Sequence, residues 1–494
     1  INYIPVPFDD LLRKVLTEAE RGNEFNALRV MTNSVAGGAS AAALGVDLVL
    51  YQQSFRGGTG RRAALAELNA AAAAAGYNFV MDALGGRQHF RLVKATPPAQ
   101  APLLMRGVQA VALAKLKAGL QFQTYYPISP ATDENVYLEA NQRTQDLTVV
   151  QVEDEISAIN MAVGAAHAGV RSSTSTSGPG LSLMCEGFGF ASITESAGPV
   201  LYLWQRGGPS TGLPTRSEQA DLLFALQPGH GDFAHMVVAP GDIPQTVEDS
   251  YEAFNWADRY QLPVIVMVDK RIQSSHFTVD DLGLDMLPPI DRGPRFSPNG
   301  DYLRYKFTDS GVSPRAVPGQ EGGIFWVTTD EHDERGHITE SSDNRVKMMN
   351  KRMGKLDLAS REIPSSRKIA FHGPRDADVT IVGWGSTRGS ILDAMQLLEE
   401  REGIKANFVQ VRLLRPFPVE EVSEILKRAK RTLLVEENYQ GQLGDVIAAK
   451  TGITVDQRLV KFDGRPFSEE ELQEALLTAI REGQPRVAVT HLLP

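Results

Sequence analysis

The sequence has almost no cysteine: Cys185 is the one thiol in 494 residues. That excludes an intramolecular disulfide and fits a reducing compartment, the cytoplasm. It also excludes a self-contained iron–sulfur cluster, which takes about four thiolates, so any cluster must sit on another chain. Cys185 itself is expected to be a buried structural thiol. No run of about 18 consecutive apolar residues is present, so no membrane-spanning helix is expected. No charged-then-apolar leader opens the chain, and secretion is not expected. An excess of basic charge is missing too. Fifty Lys and Arg against 60 Asp and Glu leave a net charge of −10, which argues against a general nucleic-acid binder. There is no Gly-x-Gly-x-x-Gly fingerprint and no Walker loop. Neither His-Glu-x-x-His nor Cys-x-x-Cys spacing occurs, so no zinc site and no metal ligand set is expected on this chain.

What remains is an ordinary globular composition, 42% hydrophobic and 22% charged, long enough for roughly three domains. The chain starts at Ile1 without a methionine, which reads as a fragment of a longer polypeptide. Residues 1–95 are helix-like, and the alanine run Ala70 to Ala75 is expected to stop at Gly76. The proline-rich stretch Thr96-Pro97-Pro98-Ala99-Gln100-Ala101-Pro102 reads as a linker. From 105 to 275 helices and short β-branched or apolar strands alternate, the signature of a helix-covered parallel sheet. The strands expected are Leu147 to Val152, Val170 to Thr176, Val200 to Trp204 and Val264 to Val268. Residues 276–370 are richer in Pro, Gly and charge and read as an extension or docking segment. A second α/β block fills 371–490, with strands at Val379 to Val382, Val409 to Leu414 and Thr432 to Val435.

Several local features could carry chemistry. Tyr126-Pro127-Ile128-Ser129-Pro130 sets a proline-fixed turn that leaves the Ser129 hydroxyl available, although a purely structural turn reads equally well. Glu153-Asp154-Glu155 opens a helix of small residues (Ala162, Gly164, Ala165, Ala166, Gly169). Acids there are common helix caps. A helix that small must pack closely, however, and would partly bury a carboxylate at its start, suiting it to share a proton with a ring nitrogen. Ser177-Gly178-Pro179-Gly180 lets backbone approach a ligand, and the Gly/Pro loop from Arg206 to Arg216 ends in a side chain made for carboxylates. Gly383-Trp384-Gly385-Ser386-Thr387 opens a helix and reads as a tight turn or an anion site. Glu331-His332-Asp333-Glu334 invites a metal reading, but its spacing defines no coordination set, and surface or inter-chain docking is expected.

Taken in order, Tyr126 to Pro130, Glu153 to Glu155, Ser175-Thr176-Ser177-Gly178-Pro179-Gly180 and Gly208 to Arg216 resemble the α subunit of 2-oxoacid:ferredoxin oxidoreductases. Glu331 to Gly336 and Asp463-Gly464-Arg465-Pro466-Phe467 agree with that resemblance, which covers about 105–480. It implies an α/β fold: a doubly wound, pyrimidine-type thiamine-diphosphate-binding domain (105–275) and a transketolase C-terminal-like domain (371–490). Part of a γ domain (1–95, a helical tail) precedes them, as in γ–α fusions.

The resemblance implies thiamine diphosphate shared with a β subunit. Glu155 would hydrogen-bond the aminopyrimidine ring and promote the imino tautomer that deprotonates the thiazolium carbon, with Glu153 the alternative. Ile128, Ser177 and Gly178 would line the cofactor. Arg216 would bind the substrate carboxylate, assisted by Thr215. Ser129 stands where the family usually has threonine; the hydroxyl survives and the methyl is lost. No Gly-Asp-Gly motif holds a Mg²⁺-diphosphate here, Gly231-Asp232-Phe233 being a partial match. Mg²⁺ and a [4Fe–4S] cluster are therefore expected on the β subunit, in an αβ or (αβ)2 assembly without nucleic acid or membrane. The implied reaction converts a 2-oxo acid, 2-oxoglutarate first, and coenzyme A into acyl-CoA and CO₂ with electrons passing to ferredoxin, or runs in reverse. The alternatives are a pyruvate or branched-chain 2-oxoacid member, a different thiamine enzyme, and a catalytically silent assembly subunit.

Overall fold

The computed structural model describes residues 3–56, 61–87, 92, 101–298 and 300–490. The chain forms two compact units, Ile1–Ala99 and Gln100–Pro494. The linker expected at 96–102 lies mostly outside the described residues.

The first unit is helical among its described residues. Helices Phe8–Glu18, Thr32–Ala43 and Arg61–Ala83 bury Leu12, Leu16, Val35, Leu68 and Ala72 against one another. The helix expected to end at Gly76 runs on to Ala83. Gly76 is there for contact rather than termination. A Cβ on it would stand 2.0 Å from the Val35 carbonyl oxygen, and one on Gly38 would stand 1.8 Å from that of Ala73. Two helices that close exclude side chains at the crossing, and the packing outweighs glycine's weak helix propensity.

Among its described residues the second unit holds two sheets and a small ribbon. The ribbon pairs β1 (Leu103–Arg106) antiparallel with β8 (His276–Val279). The first sheet is built from β2 (Leu120–Tyr125), β3 (Thr148–Gln151), β4 (Arg171–Thr176), β5 (Val200–Gln205), β6 (Met236–Val238) and β7 (Val264–Asp269). Its order is β12-β6-β7-β5-β4-β2-β3, where β12 is Leu413–Arg415. All pairings are parallel except β12 on β6. The second sheet runs β15-β14-β13-β10-β11-β9. These strands are β9 (Ile369–His372), β10 (Val379–Gly383), β11 (Ala406–Val411), β13 (Thr432–Glu436), β14 (Gln457–Lys461) and β15 (Arg486–Val489), with β9 the antiparallel edge. β4, β5 and β7 are buried along their whole length, as strands covered on both faces must be.

The two α/β blocks are not independent. The run expected as one strand, Val409 to Leu414, breaks at Arg412, and its second part crosses over to edge the first sheet as β12. Arg412 turns inward to Asp249 and Glu248, each at 2.5 Å. One apolar core joins Ile159, Leu181 and Phe188 of the first block to Trp384, Val411 and Leu434 of the second.

Residues 276–370 dock onto their own chain through buried charge. Glu195 is fully buried between Lys351 (2.5 Å) and Lys355 of the Ser342–Glu362 helix. Burial works against its ionised form, yet the two lysines and Arg304 hold its pKa well below the ordinary carboxylate range. Asp258 likewise binds Arg171 at 2.8 Å and Arg315 at 2.7 Å. Removing the shared acid from such a set leaves buried cations without their counter-charge, a cost of about 3–5 kcal/mol.

Candidate active site

In the first sheet β3 lies on one side of β2 and β4 on the other, so the winding reverses between β2 and β4. A crevice opens outside the carboxyl ends of strands at such a reversal. Every segment singled out in 105–275 leaves one of these ends. The Ser129 turn follows β2, Glu153 to Glu155 follows β3, Ser177 to Gly180 follows β4, and the Arg206 to Arg216 loop follows β5.

The three acids have separate positions. Asp154 is the N-cap, its carboxylate accepting from the Ser157 amide at 2.7 Å. That amide, chiefly, holds the Asp154 pKa below its ordinary value. Glu153 is exposed, and Glu155, the first helical residue, is buried at 6% exposure. Asp154 satisfies the helix end, so Glu155 is not needed as a cap. Gly180 makes room for it. A Cβ there would stand 2.0 Å from Thr176 Oγ1 and 2.7 Å from Glu155 Oε1.

Further contacts link the turns. Arg206, buried, donates from Nη1 to the Ser129 carbonyl at 2.5 Å. Its charge faces Asp221, whose carboxyl lies where a Cβ on Gly178 would meet it at 2.7 Å. Burial pushes Asp221 up to about 6, against the pull of Arg206. Burial and Asp221 together raise Glu218 to about 7. Among the described residues, Ser177 Oγ, Asp221 Oδ2 and Arg206 Nε are buried here without a hydrogen-bond partner. Beneath the strands a buried network stiffens this edge. Lys115 meets Glu134 Oε1 at 2.5 Å, and Glu134 Oε2 accepts from Ser175 Oγ at 2.6 Å and Trp204 Nε1 at 3.1 Å. Burial lowers the Lys115 ammonium to about 8 in spite of Glu134.

Of the other residues expected at the site, Ser129 is exposed and Ile128 half-buried on the turn. Thr215 and Arg216 are exposed at the end of their loop, with the Arg216 stem against Gly464.

Residues 113–351 match the family described as pyruvate flavodoxin/ferredoxin oxidoreductase, thiamine diphosphate-binding, and residues 377–476 match pyruvate:ferredoxin oxidoreductase core domain II. The 2-oxoacid:ferredoxin oxidoreductase subunit alpha of Saccharolobus solfataricus is 38% identical over 506 residues, covering 99% of this chain and 78% of the relative. The chain belongs to the 2-oxoacid:ferredoxin oxidoreductase α subunits. The 2-oxoglutarate synthase subunit KorA of Methanothermobacter thermautotrophicus is 30% identical, covering 76% of this chain and 97% of that protein. Among solved structures, the 2-oxoglutarate:ferredoxin oxidoreductase of Magnetococcus marinus superposes with a TM-score of 0.84 at 31% identity, covering 95% of this chain and 80% of that one. That structure holds 2-oxoglutarate, coenzyme A and succinyl-CoA.

The residues present in this oxidoreductase α chain fit a thiamine site. A buried carboxylate is spared from capping, glycine backbone lies against it, and the orphaned Ser177 hydroxyl supplies a further polar contact. Other motifs serve the scaffold. At Gly383 to Thr387 the helix start is met by Asp269, whose Oδ2 accepts from the Ser386 amide at 3.3 Å. Glu331 is held by Arg352 and Arg345, both at 2.6 Å. Burial opposes its charge, but those pairs bring it down to about 2. His332 is fully buried against Tyr305. The expected surface position for Glu331 to Glu334 therefore gives way to an internal clamp at Glu331 and His332. Cys185 is half-buried rather than buried, its Sγ 3.2 Å from the Leu181 carbonyl oxygen, and burial raises its thiol pKa.

Sequence reasoning took Arg206 only as the start of a loop and did not weigh Glu218 or Asp221, which the fold brings to the candidate site. A signal was there: an arginine two residues past the apolar run Val200 to Trp204, with two acids 12 and 15 residues on.

Proposed function

We propose that this α chain supplies half of a thiamine-diphosphate site whose other half lies on a β subunit. The assembly carries out CoA-dependent oxidative decarboxylation of a 2-oxo acid. A 2-oxo acid anion and coenzyme A give acyl-CoA, CO₂, one proton and two electrons, the electrons leaving singly to ferredoxin; the reverse carboxylation uses the same groups. With one cysteine and no Gly-Asp-Gly motif here, Mg²⁺ and the [4Fe–4S] cluster are assigned to the β subunit. A cytoplasmic location fits the same thiol count.

The buried Glu155, freed from capping by Asp154, carries this reading. When bound, thiamine diphosphate supplies the carbanion chemistry that cleaves a 2-oxo acid. Glu155 holds and exchanges a proton at the cofactor's ring nitrogen, in a dry position where such an exchange is efficient. Ser177, Gly178 and Ile128 line the cofactor. Arg206 holds the Ser129 turn through its carbonyl, keeping the Ser129 hydroxyl near the substrate carbonyl. Arg216, with Thr215, takes the substrate carboxylate as a charge-assisted pair.

2-Oxoglutarate is the favoured substrate, supported by the 2-oxoglutarate synthase subunit at 30% identity and by the 2-oxoglutarate held in the Magnetococcus marinus structure. The Saccharolobus solfataricus relative, named for 2-oxo acids in general, favours a broader range as the second reading.

The test uses the chain alone and with its co-expressed β partner, supplied with thiamine diphosphate, Mg²⁺ and coenzyme A. Anaerobic viologen reduction is followed with 2-oxoglutarate, pyruvate and 2-oxobutyrate. Activity only with the partner, highest on 2-oxoglutarate, is expected. Turnover by this chain alone, or none in an intact complex, overturns the proposal.

A further inference from the structure

The turn Asp463-Gly464-Arg465-Pro466-Phe467 belongs to the second α/β block, whereas every candidate cofactor residue lies in the first. Gly464 nevertheless meets the loop that carries Arg216. Its φ is +77°, and a Cβ on it would stand 2.7 Å from Leu213 Cδ1, 2.9 Å from Arg216 Cβ and 3.2 Å from Arg216 Cγ. The stem of Arg216 therefore rests directly on glycine backbone while the rest of the residue is exposed.

Both sides of this contact are built. Leu213 donates its amide to the Gly207 carbonyl at 2.9 Å, and Arg216 donates to Leu213 at 3.0 Å, which closes the loop. The Ser217 amide reaches the Gly464 carbonyl at 3.3 Å. Glu437 joins loop to turn, accepting from Ser217 Oγ at 3.4 Å and the Phe467 amide at 3.2 Å. Gln219 exchanges backbone and side-chain bonds with Glu437, at 2.6 and 2.9 Å. Asp463 shapes the turn by accepting from the Arg465 amide at 3.0 Å, and it faces the buried Lys461 at 3.4 Å.

We propose that Gly464 is a positioning residue for substrate binding: its bare backbone seats the Arg216 stem, so the second block sets where the guanidinium meets the 2-oxo acid's carboxylate. This rests on the reading of Arg216 as the carboxylate-binding residue. A side chain at 464 pushes the stem outward, and a displacement of about 1 Å in a positioning group can cost about 100-fold.

The test measures KM and kcat for 2-oxoglutarate in the assembled complex for Gly464→Ala, Arg216→Ala and the double variant. Gly452→Ala controls for backbone strain alone, because its φ is +71° and a Cβ there meets nothing within 4 Å. Gly464→Ala is expected to raise KM by about 10- to 100-fold, with little change in kcat or in KM for coenzyme A. It is expected to add nothing once Arg216 is alanine. Gly452→Ala is expected to keep the parent KM. If Arg216→Ala raises KM and Gly464→Ala does not, or if Gly464→Ala acts equally in the Arg216→Ala background, the positioning role is overturned and the substrate reading stands. If Arg216→Ala leaves KM unchanged, the substrate reading falls and takes the proposal with it. Should Gly464→Ala fail to assemble, Leu213→Ala removes the other side chain that lies against Gly464 without adding an atom. A raised KM there supports the proposal, and an unchanged KM overturns it.

Discussion

Three consecutive carboxylates offer a sharp test, because the fold gives each a different task. Glu153 is exposed, Asp154 caps the helix, and Glu155 is buried under Gly180. Glu155→Gln keeps the shape and the hydrogen-bonding capacity but removes the exchangeable carboxylate proton. Loss of a positioned acid–base group costs about 100- to 10,000-fold in rate, so kcat should fall by that range with KM for the 2-oxo acid nearly unchanged. The melting temperature should hardly move, because no cap is lost. Asp154→Ala should do the opposite. The Ser157 amide loses its acceptor, and Tm should drop by about 2–4 °C, while kcat stays within about threefold. Glu153→Gln should change neither. Anaerobic viologen reduction and thermal unfolding of the assembled complex read both quantities. If Glu155→Gln keeps more than about a tenth of the parent kcat, the buried carboxylate is structural and the assignment of Glu155 fails. If Glu153→Gln is the variant that loses turnover, the register of the motif is off by two.

Arg206→Gln removes the cation that faces Asp221 and weakens the grip on the Ser129 carbonyl. It should lower kcat/KM for the 2-oxo acid by about 10- to 100-fold, checked by steady-state kinetics, and an unchanged value would detach Arg206 from the site. Glu437 is held at about 8, raised by burial and by Asp269 against Arg271. The folded protein thus keeps a proton that the unfolded chain releases above about pH 4.5. Stability should fall as pH rises from about 4.5 to about 8, with a slope approaching about 1.4 kcal/mol per pH unit. Glu437→Gln should remove that part of the slope in denaturant titrations across the range, and an identical slope in the variant would count against it. In the first unit, Gly38→Ala gains helix propensity of about 1 kcal/mol but places a methyl 1.8 Å from the Ala73 carbonyl. A lowered Tm is expected, and a raised one would show that the two helices are free to separate.

The first sheet was legible because its strands are short apolar or β-branched runs between helices of small residues. Val200 to Trp204 and Val264 to Val268 each gain one residue in the fold. Local signals were misleading where an interaction is remote. Gly76 carries the mark of a helix stop, yet its partner is the backbone of Val35, which no periodicity links to it. The stretch 276–370 reads as an extension or docking segment because it is rich in Pro, Gly and charge, and nothing local marks Lys351 and Lys355 as buried. Their counter-ion, Glu195, is 156 and 160 residues away in sequence. The candidate site divides in the same way. Which strand ends form the candidate site could be read from the turns, since glycine, proline and acid cluster there for local reasons. Which of three acids is buried depends on where the helix begins, and that is decided by a single capping bond to Ser157.

The link between the two α/β blocks gives this division a functional sense. β12 edges the first sheet, one apolar core spans both blocks, and Glu437 ties the substrate loop to the Gly464 turn. The edge assigned to the cofactor is braced from within the first block by Lys115 and Glu134. The Arg216 loop is anchored by the second block instead. Two separately supported edges can be adjusted separately: on the proposed roles, a change at the Gly464 turn shifts the Arg216 guanidinium and leaves Glu155, the carboxylate assigned to the cofactor, in place.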